Sequence, residues 1–136
     1  MKKLYVLLGV IIVLLAANLV VTVYKIKMNK NEASKIYAFK ELDRAPEVIK
    51  AVKPEYPEKL KREGIEGSVF VEVSLDENGV PIMVKAIKSS GYPEMDSAAT
   101  KAAKEMRFTP ALKDGKAVRT KIIVPMRFTL HKGKQE

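Results

Sequence analysis

The chain has 136 residues, 47% of them hydrophobic and 30% charged, with a formal net charge of +9 and no cysteine. That length leaves room for one small domain, and the missing cysteines exclude a disulfide framework, a thiolate metal site and a cysteine nucleophile. The basic excess does not point to nucleic acid, because residues 1–45 hold 8 Lys/Arg against 3 Asp/Glu (+5) while residues 46–136 hold 17 against 13 (+4), and no recognition helix or aromatic stacking set accompanies it.

Leu4 to Tyr24 carries no charge. Its 21 residues, as a helix rising about 1.5 Å per residue, would span roughly 31 Å, the thickness of a bilayer core. The expected organisation is a short tail (1–3), a transmembrane anchor (4–24), a linker (25–45) and a folded domain (46–136). The apolar run exceeds the usual core of a cleaved signal peptide, and Leu15-Ala16-Ala17-Asn18 offers no clear small-residue cleavage site. Lys2 and Lys3 precede the span while Lys25, Lys27 and Lys30 follow it, so the positive-inside rule does not orient it. Lysines at such positions suit anionic head groups.

Beyond the span, Ile36, Phe39 and Leu42 recur at three-residue spacing and outline a short amphipathic helix over Ser34–Leu42. Such a helix could lie on a membrane surface, dock on the domain or continue the anchor. Ala45-Pro46 ends any helix. Val48–Val52 reads as a short strand, and Lys53-Pro54-Glu55-Tyr56-Pro57 as a stiff extended connection. Pro57 suits the first turn of a helix over Glu58–Glu63, with Leu60 facing the core and Gly64 as the stop.

From Ser68 the period changes to two: Val69, Val71, Val73 and Leu75 share one face of a half-buried strand. Asp76-Glu77-Asn78-Gly79 is turn chemistry. The returning strand, Val80–Ser89, alternates Ile82, Val84 and Ala86 against Met83, Lys85 and Ile87. After the loop residues Ser89-Ser90-Gly91, Met95, Ala99, Ala102 and Met106 mark the buried stripe of a helix. Lys113-Asp114-Gly115-Lys116 turns the chain into the longest strand, Val118–Leu130, whose even-numbered residues share a face. Pro125 lies inside it. A proline cannot donate to a ladder, which predicts that this strand is exposed along one side.

The ordered set Tyr56-Pro57, Gly64, Gly67, Val69-Phe70-Val71-Glu72-Val73, Asn78-Gly79, Ser89-Ser90-Gly91, Met95-Asp96 and Arg107-Phe108-Thr109-Pro110-Ala111, followed by the final strand, resembles the C-terminal domain of the TonB family over Pro54–Leu130. The resemblance implies an α+β fold of two helices packed on a three-stranded antiparallel sheet, behind one anchor in the cell inner membrane with the domain in the periplasm. It implies ExbB/ExbD-type motor proteins and outer-membrane receptors as partners. The receptor peptide would pair with the last strand, placing Arg119, Lys121, Ile123, Pro125 and Arg127 at the contact, with Lys53, Pro54 and Tyr56 as the second contact region. Strand addition needs no catalytic residue, cofactor or metal.

Three departures from the family pattern stand out. A glutamine common before Tyr-Pro in the best-known member is absent. The span lacks the histidine that, four residues from a serine, is thought to engage the motor. Asn18 and Thr22 share that spacing and one helix face, either as a substitute polar contact or as tolerated small polar residues. The long Pro-rich linker is also absent: the 32 residues from Lys25 to Tyr56 would reach roughly 110 Å when fully extended, but about 30 Å as a flexible coil. A membrane-tethered adaptor that is not energised is therefore the competing reading. An enzyme has little behind it. The lone histidine, His131, stands at a strand end without a positioned partner, and Asp76, Asp96 and Asp114 fall at turns or helix starts, where carboxylates cap backbone amides. An open edge strand can also pair with a second copy of itself, so the oligomeric state stays open.

Overall fold

Alternating small and branched apolar residues set the architecture of this chain, whose computed structural model describes residues 1–131. Residues 132–136, the end of the expected domain, lie outside the described residues. Two units form, one of Met1–Lys35 and one that begins at Ile36.

The first unit is a single helix, α1 (Lys2–Ser34). It is long and apolar enough, over Lys2–Lys30, to cross a membrane. It continues past Tyr24 because the lysines, methionine and glutamate that follow are good helix formers with no breaker among them.

The second unit is an α+β domain. Its elements run β1 (Ile36–Tyr37), a 3-10 turn (Phe39–Glu41), β2 (Val48–Lys50), α2 (Glu58–Arg62), β3 (Gly67–Leu75), β4 (Pro81–Lys88), α3 (Pro93–Glu105), β5 (Arg107–Phe108), β6 (Ala111–Lys113) and β7 (Lys116–Phe128). β4, β3 and β7 form the expected three-stranded antiparallel sheet, with β3 in the centre. β1 adds to the far side of β7, β6 makes a hairpin with the start of β7, and β2 pairs separately with β5.

The core lies on one face of this sheet. Val69, Val71, Val73 and Leu75 of β3 are buried against Met95, Ala99, Ala102 and Ala103 of α3, and Leu60 of α2, Met126 and Phe128 close the same cluster. The alanines let α3 sit close to the strands, as their spacing predicted. One position in β4 departs from the expected alternation: Ile82 is exposed, because the ladder slips between Ser74 and Leu75 and skips it. Such a bulge turns one side chain out of register.

The turns carry the chemistry their residues suggest. Asp76 accepts from the amides of Asn78 and Val80, both at 2.9 Å. Gly79 has a positive φ of 77°, and a Cβ there would fall 2.1 Å from the Phe108 carbonyl oxygen, so only glycine fits. Asp114-Gly115, both at positive φ, close the β6–β7 hairpin. Asp96 accepts from the hydroxyls of Ser89 and Ser90 and from the Ser90 amide, fastening the Ser-Ser-Gly loop to the start of α3.

The segment expected as an amphipathic helix over Ser34–Leu42 is not one. α1 ends at Ser34, Ile36 and Tyr37 run parallel to Arg119 and Thr120, and Phe39–Glu41 make only a 3-10 turn. Ile and Tyr favour extended backbone, and here a strand edge was available to pair with them. The Thr120 hydroxyl donates to the Tyr37 carbonyl at 2.9 Å, and the Ala38 amide donates to Glu41 at 2.8 Å. Further on, Arg44 and Leu112 exchange backbone hydrogen bonds, and the Asp114 amide donates to the Asp43 carboxylate. The expected linker is thus helical to Ser34 and stitched to the domain at 36–37 and 43–44.

Candidate functional site

β3 and β7 pair without a slip from Gly67↔Phe128 to Leu75↔Thr120. Pro125 stands opposite Phe70 in that unbroken ladder. Having no N–H, it can occupy only a rung whose main-chain groups face away from β3. Because successive rungs alternate, Arg119, Lys121, Ile123 and Arg127 also direct their N–H and C=O groups to the outer edge. All five β7 residues expected to meet a peptide therefore share one row.

That edge is not open along its whole length. Arg119, expected to be available, lies beside Ile36 of β1, and the parallel pairing extends to Thr120. Beyond Thr120 no strand among the described residues pairs with the outer side of β7. Lys121 to Arg127 covers about 20 Å at roughly 3.3 Å per residue, room for a short extended peptide. Pro125 removes one donor from this row, leaving those of Ile123 and Arg127 on either side of it.

Side chains along the row are mixed in character. Arg119 Nε lies 2.9 Å from Glu77 and Lys121 Nζ 3.3 Å from Glu72. Both are surface pairs, which orient the side chains more than they stabilise the fold. Ile123 is exposed, and a groove of about 530 Å³ lies between it and the Ile36–Phe39 segment.

The other predicted contact residues gather at the far end. Lys53, Pro54 and Tyr56 line a cleft of about 300 Å³ together with Arg127, Phe128 and His131. The two regions named separately from sequence thus meet where β7 ends. Tyr56 is fixed there by an edge-on contact with the buried Phe128, ring centroids 5.5 Å apart and 87° between planes, and its hydroxyl donates to the Ile65 carbonyl. Burial first, and the charge of Glu66 second, push the Tyr56 phenol above its ordinary pKa. Glu66 also accepts from the Leu130 amide at 2.6 Å and holds the chain as it leaves β7.

Sequence reasoning missed β1 and Glu66. Ile36-Tyr37 was legible as a β-favouring pair, but its apolar spacing with Phe39 and Leu42 spoke for a helix. Nothing local marks a glutamate that anchors an amide 64 residues away. Asn18 and Thr22 lie in α1, where the Thr22 hydroxyl donates to the Asn18 carbonyl at 2.8 Å. Thr22 is therefore satisfied within its own helix. The Asn18 amide makes no such bond among the described residues.

A helix long and apolar enough to cross a membrane, followed in the chain by a small α+β domain whose last strand is left unpaired along part of its outer edge, defines the class. The family described as Gram-negative bacterial TonB protein C-terminal matches residues 52–130, over half of the chain, and the chain belongs to that family. Its members are not enzymes. The chain is 37% identical over 89 residues to Protein TonB of Vibrio cholerae, covering 65% of this chain and 36% of that one. It is 40% identical over 78 residues to Protein tonB2 of Pseudomonas aeruginosa, covering 57% and 29%. The chain thus matches about a third of the length of these relatives. A solution NMR structure of the Pseudomonas aeruginosa TonB CTD shares the fold, with a TM-score of 0.57 at 23% identity over 73% of this chain and 98% of that one.

Proposed function

We propose that this chain is an energy transducer that couples a proton-driven ExbB/ExbD-type motor in the inner membrane to TonB-dependent outer-membrane receptors. α1 is the anchor, and the domain works in the periplasm. The receptor's box peptide adds as a strand beside β7, its backbone pairing with Ile123 and Arg127 on either side of Pro125. Its flank rests in the cleft of Lys53, Pro54 and Tyr56. The observation that carries this reading is the uncovered outer edge of β7 running into that cleft, in a domain of the TonB family. In the membrane, Asn18 makes the polar contact with the motor, because Thr22 is already bonded within α1. A photo-crosslinker at Ile123 should capture a receptor-derived box peptide. Absence of a crosslink from folded protein would overturn the assignment.

One observation favours a second reading, a tethered peptide-binding adaptor that is not energised. α1 extends ten residues past Tyr24, about 15 Å of helix, and the domain unit begins at Ile36, so little chain is left to extend across a periplasm. If collapsing the proton gradient leaves partner engagement unchanged and Asn18→Leu is silent, the adaptor reading holds. Co-purification with motor proteins would remove it.

A further inference from the structure

We propose that β1 is a built-in, displaceable occupant of the β7 edge, and that it competes with the incoming peptide strand; this rests on the strand-addition reading above. Ile36 and Tyr37 sit beside Arg119 and Thr120, on the same outer side of β7 that continues uncovered from Lys121. The main-chain groups of Arg119 face β1, by the alternation that Pro125 imposes. β1 therefore uses the same row of donors and acceptors that a peptide would use.

The contact is built to be given up. It comprises only two residue pairs, in the parallel arrangement that is the less stable per residue. Ile36 is 44% exposed, so docking hides little of it, and the Thr120 hydroxyl ties β1 to β7 by donating to the Tyr37 carbonyl. A peptide paired from Arg119 to Arg127 would cover far more of the edge than β1 does. Only Lys35 separates β1 from α1, so β1 is the first element of the domain to bear a pull along the anchor. The groove between Phe39 and Ile123 marks where β1 stops and an added strand would begin.

An occupant that must leave lowers apparent affinity by the fraction of time the edge is free, so an edge open one tenth of the time binds about tenfold more weakly. The chain has no cysteine, so a reversible clamp can be introduced cleanly. Full-length protein in nanodiscs carrying Ile36→Cys and Arg119→Cys should bind a fluorescent receptor box peptide several-fold more weakly when oxidised than when reduced. The Tyr37→Pro variant, which deletes the β1 N–H that faces Arg119, should bind more tightly than the parent, and a crosslinker at Lys121 should then label the peptide more strongly. Hydrogen exchange, measured without peptide, should be faster at the Arg119 amide in Tyr37→Pro. Equal affinity in the oxidised and reduced forms would overturn competition, and unchanged exchange would overturn occupancy of the edge. If exchange responds but neither form binds the peptide, the strand-addition reading fails and the competition proposal falls with it.

Discussion

The outer edge of β7 has two stretches that differ in what lies beside them. At Arg119–Thr120 the neighbour is β1 of the same chain; from Lys121 to Arg127 no described strand pairs, and Pro125 interrupts the donors. Both stretches share one backbone geometry and one buried inner face, so the difference comes from the neighbours and not from the strand. An exposed strand edge invites unwanted pairing, and a short covering strand and a proline are two ways of blunting it while keeping it usable. The covered stretch is closed by something that can leave. The open stretch is kept selective by a missing donor.

The comparison breaks most severely if the shared inner face is disturbed. Phe128 is only 2% exposed and supports Tyr56 edge-on at the open end. Phe128→Ala should cost about 3–5 kcal/mol of stability through lost burial and a residual cavity. Chemical denaturation should show this, together with loss of peptide binding, because the cleft at the end of β7 loses its wall. A cost below about 1 kcal/mol would mean that Phe128 is not part of the core.

Tyr56 gives a milder break confined to the open end. Tyr56→Phe removes the hydroxyl bond to Ile65 and should lower Tm by a few degrees, less than Phe128→Ala does. It also predicts a pH signature. The folded state holds the phenol's pKa above the ordinary value of about 10, so the folded chain keeps a proton that the unfolded chain has lost. This contribution is fully present below about pH 10 and disappears as pH rises through the folded pKa. The parent should therefore lose stability faster than Tyr56→Phe as pH rises above about 10.

These two stretches also show what was legible in advance. Val69 to Leu75 and the even-numbered positions of β7 betrayed the inner face, because period-two alternation is a local signal. Pro125 betrayed the outer edge for the same reason, since one residue's missing N–H constrains every rung around it. The helices followed from Leu60 and from the Met95–Met106 stripe. β1 did not follow. A two-residue parallel pairing depends on an edge more than 80 residues away, and the apolar spacing of Ile36, Phe39 and Leu42 imitated a helix. The meeting of Pro54 and Tyr56 with Arg127 was implied only by the family resemblance, because no periodicity relates positions so far apart.

A smaller change sharpens the covered stretch. Thr120 is fully buried, and its hydroxyl ties β1 to β7 by donating to the Tyr37 carbonyl. Thr120→Val keeps the shape and removes the bond, at a cost of about 1 kcal/mol. The loss should fall on β1 alone: amide exchange at Tyr37 should quicken while that of Val71 and Val73 on β3 stays as it was. Exchange that quickens across the whole sheet would mean that β1 is an integral strand and not a separable cover.

The smallest expected effect on stability sharpens the open stretch. Pro125 is exposed, stands opposite Phe70 and faces its nitrogen outward, so Pro125→Ala breaks no bond to β3 and should change stability by less than about 0.5 kcal/mol. What changes is the edge. The new N–H completes the row between Ile123 and Arg127, and one added hydrogen bond of about 1 kcal/mol should tighten box-peptide binding roughly fivefold. The same donor is available to a second copy of the chain, so sedimentation at rising concentration should show more self-association than in the parent. If affinity stays level while the fold is intact, the peptide's register skips position 125, and the gap in the donor row is a feature of recognition rather than a defect in it.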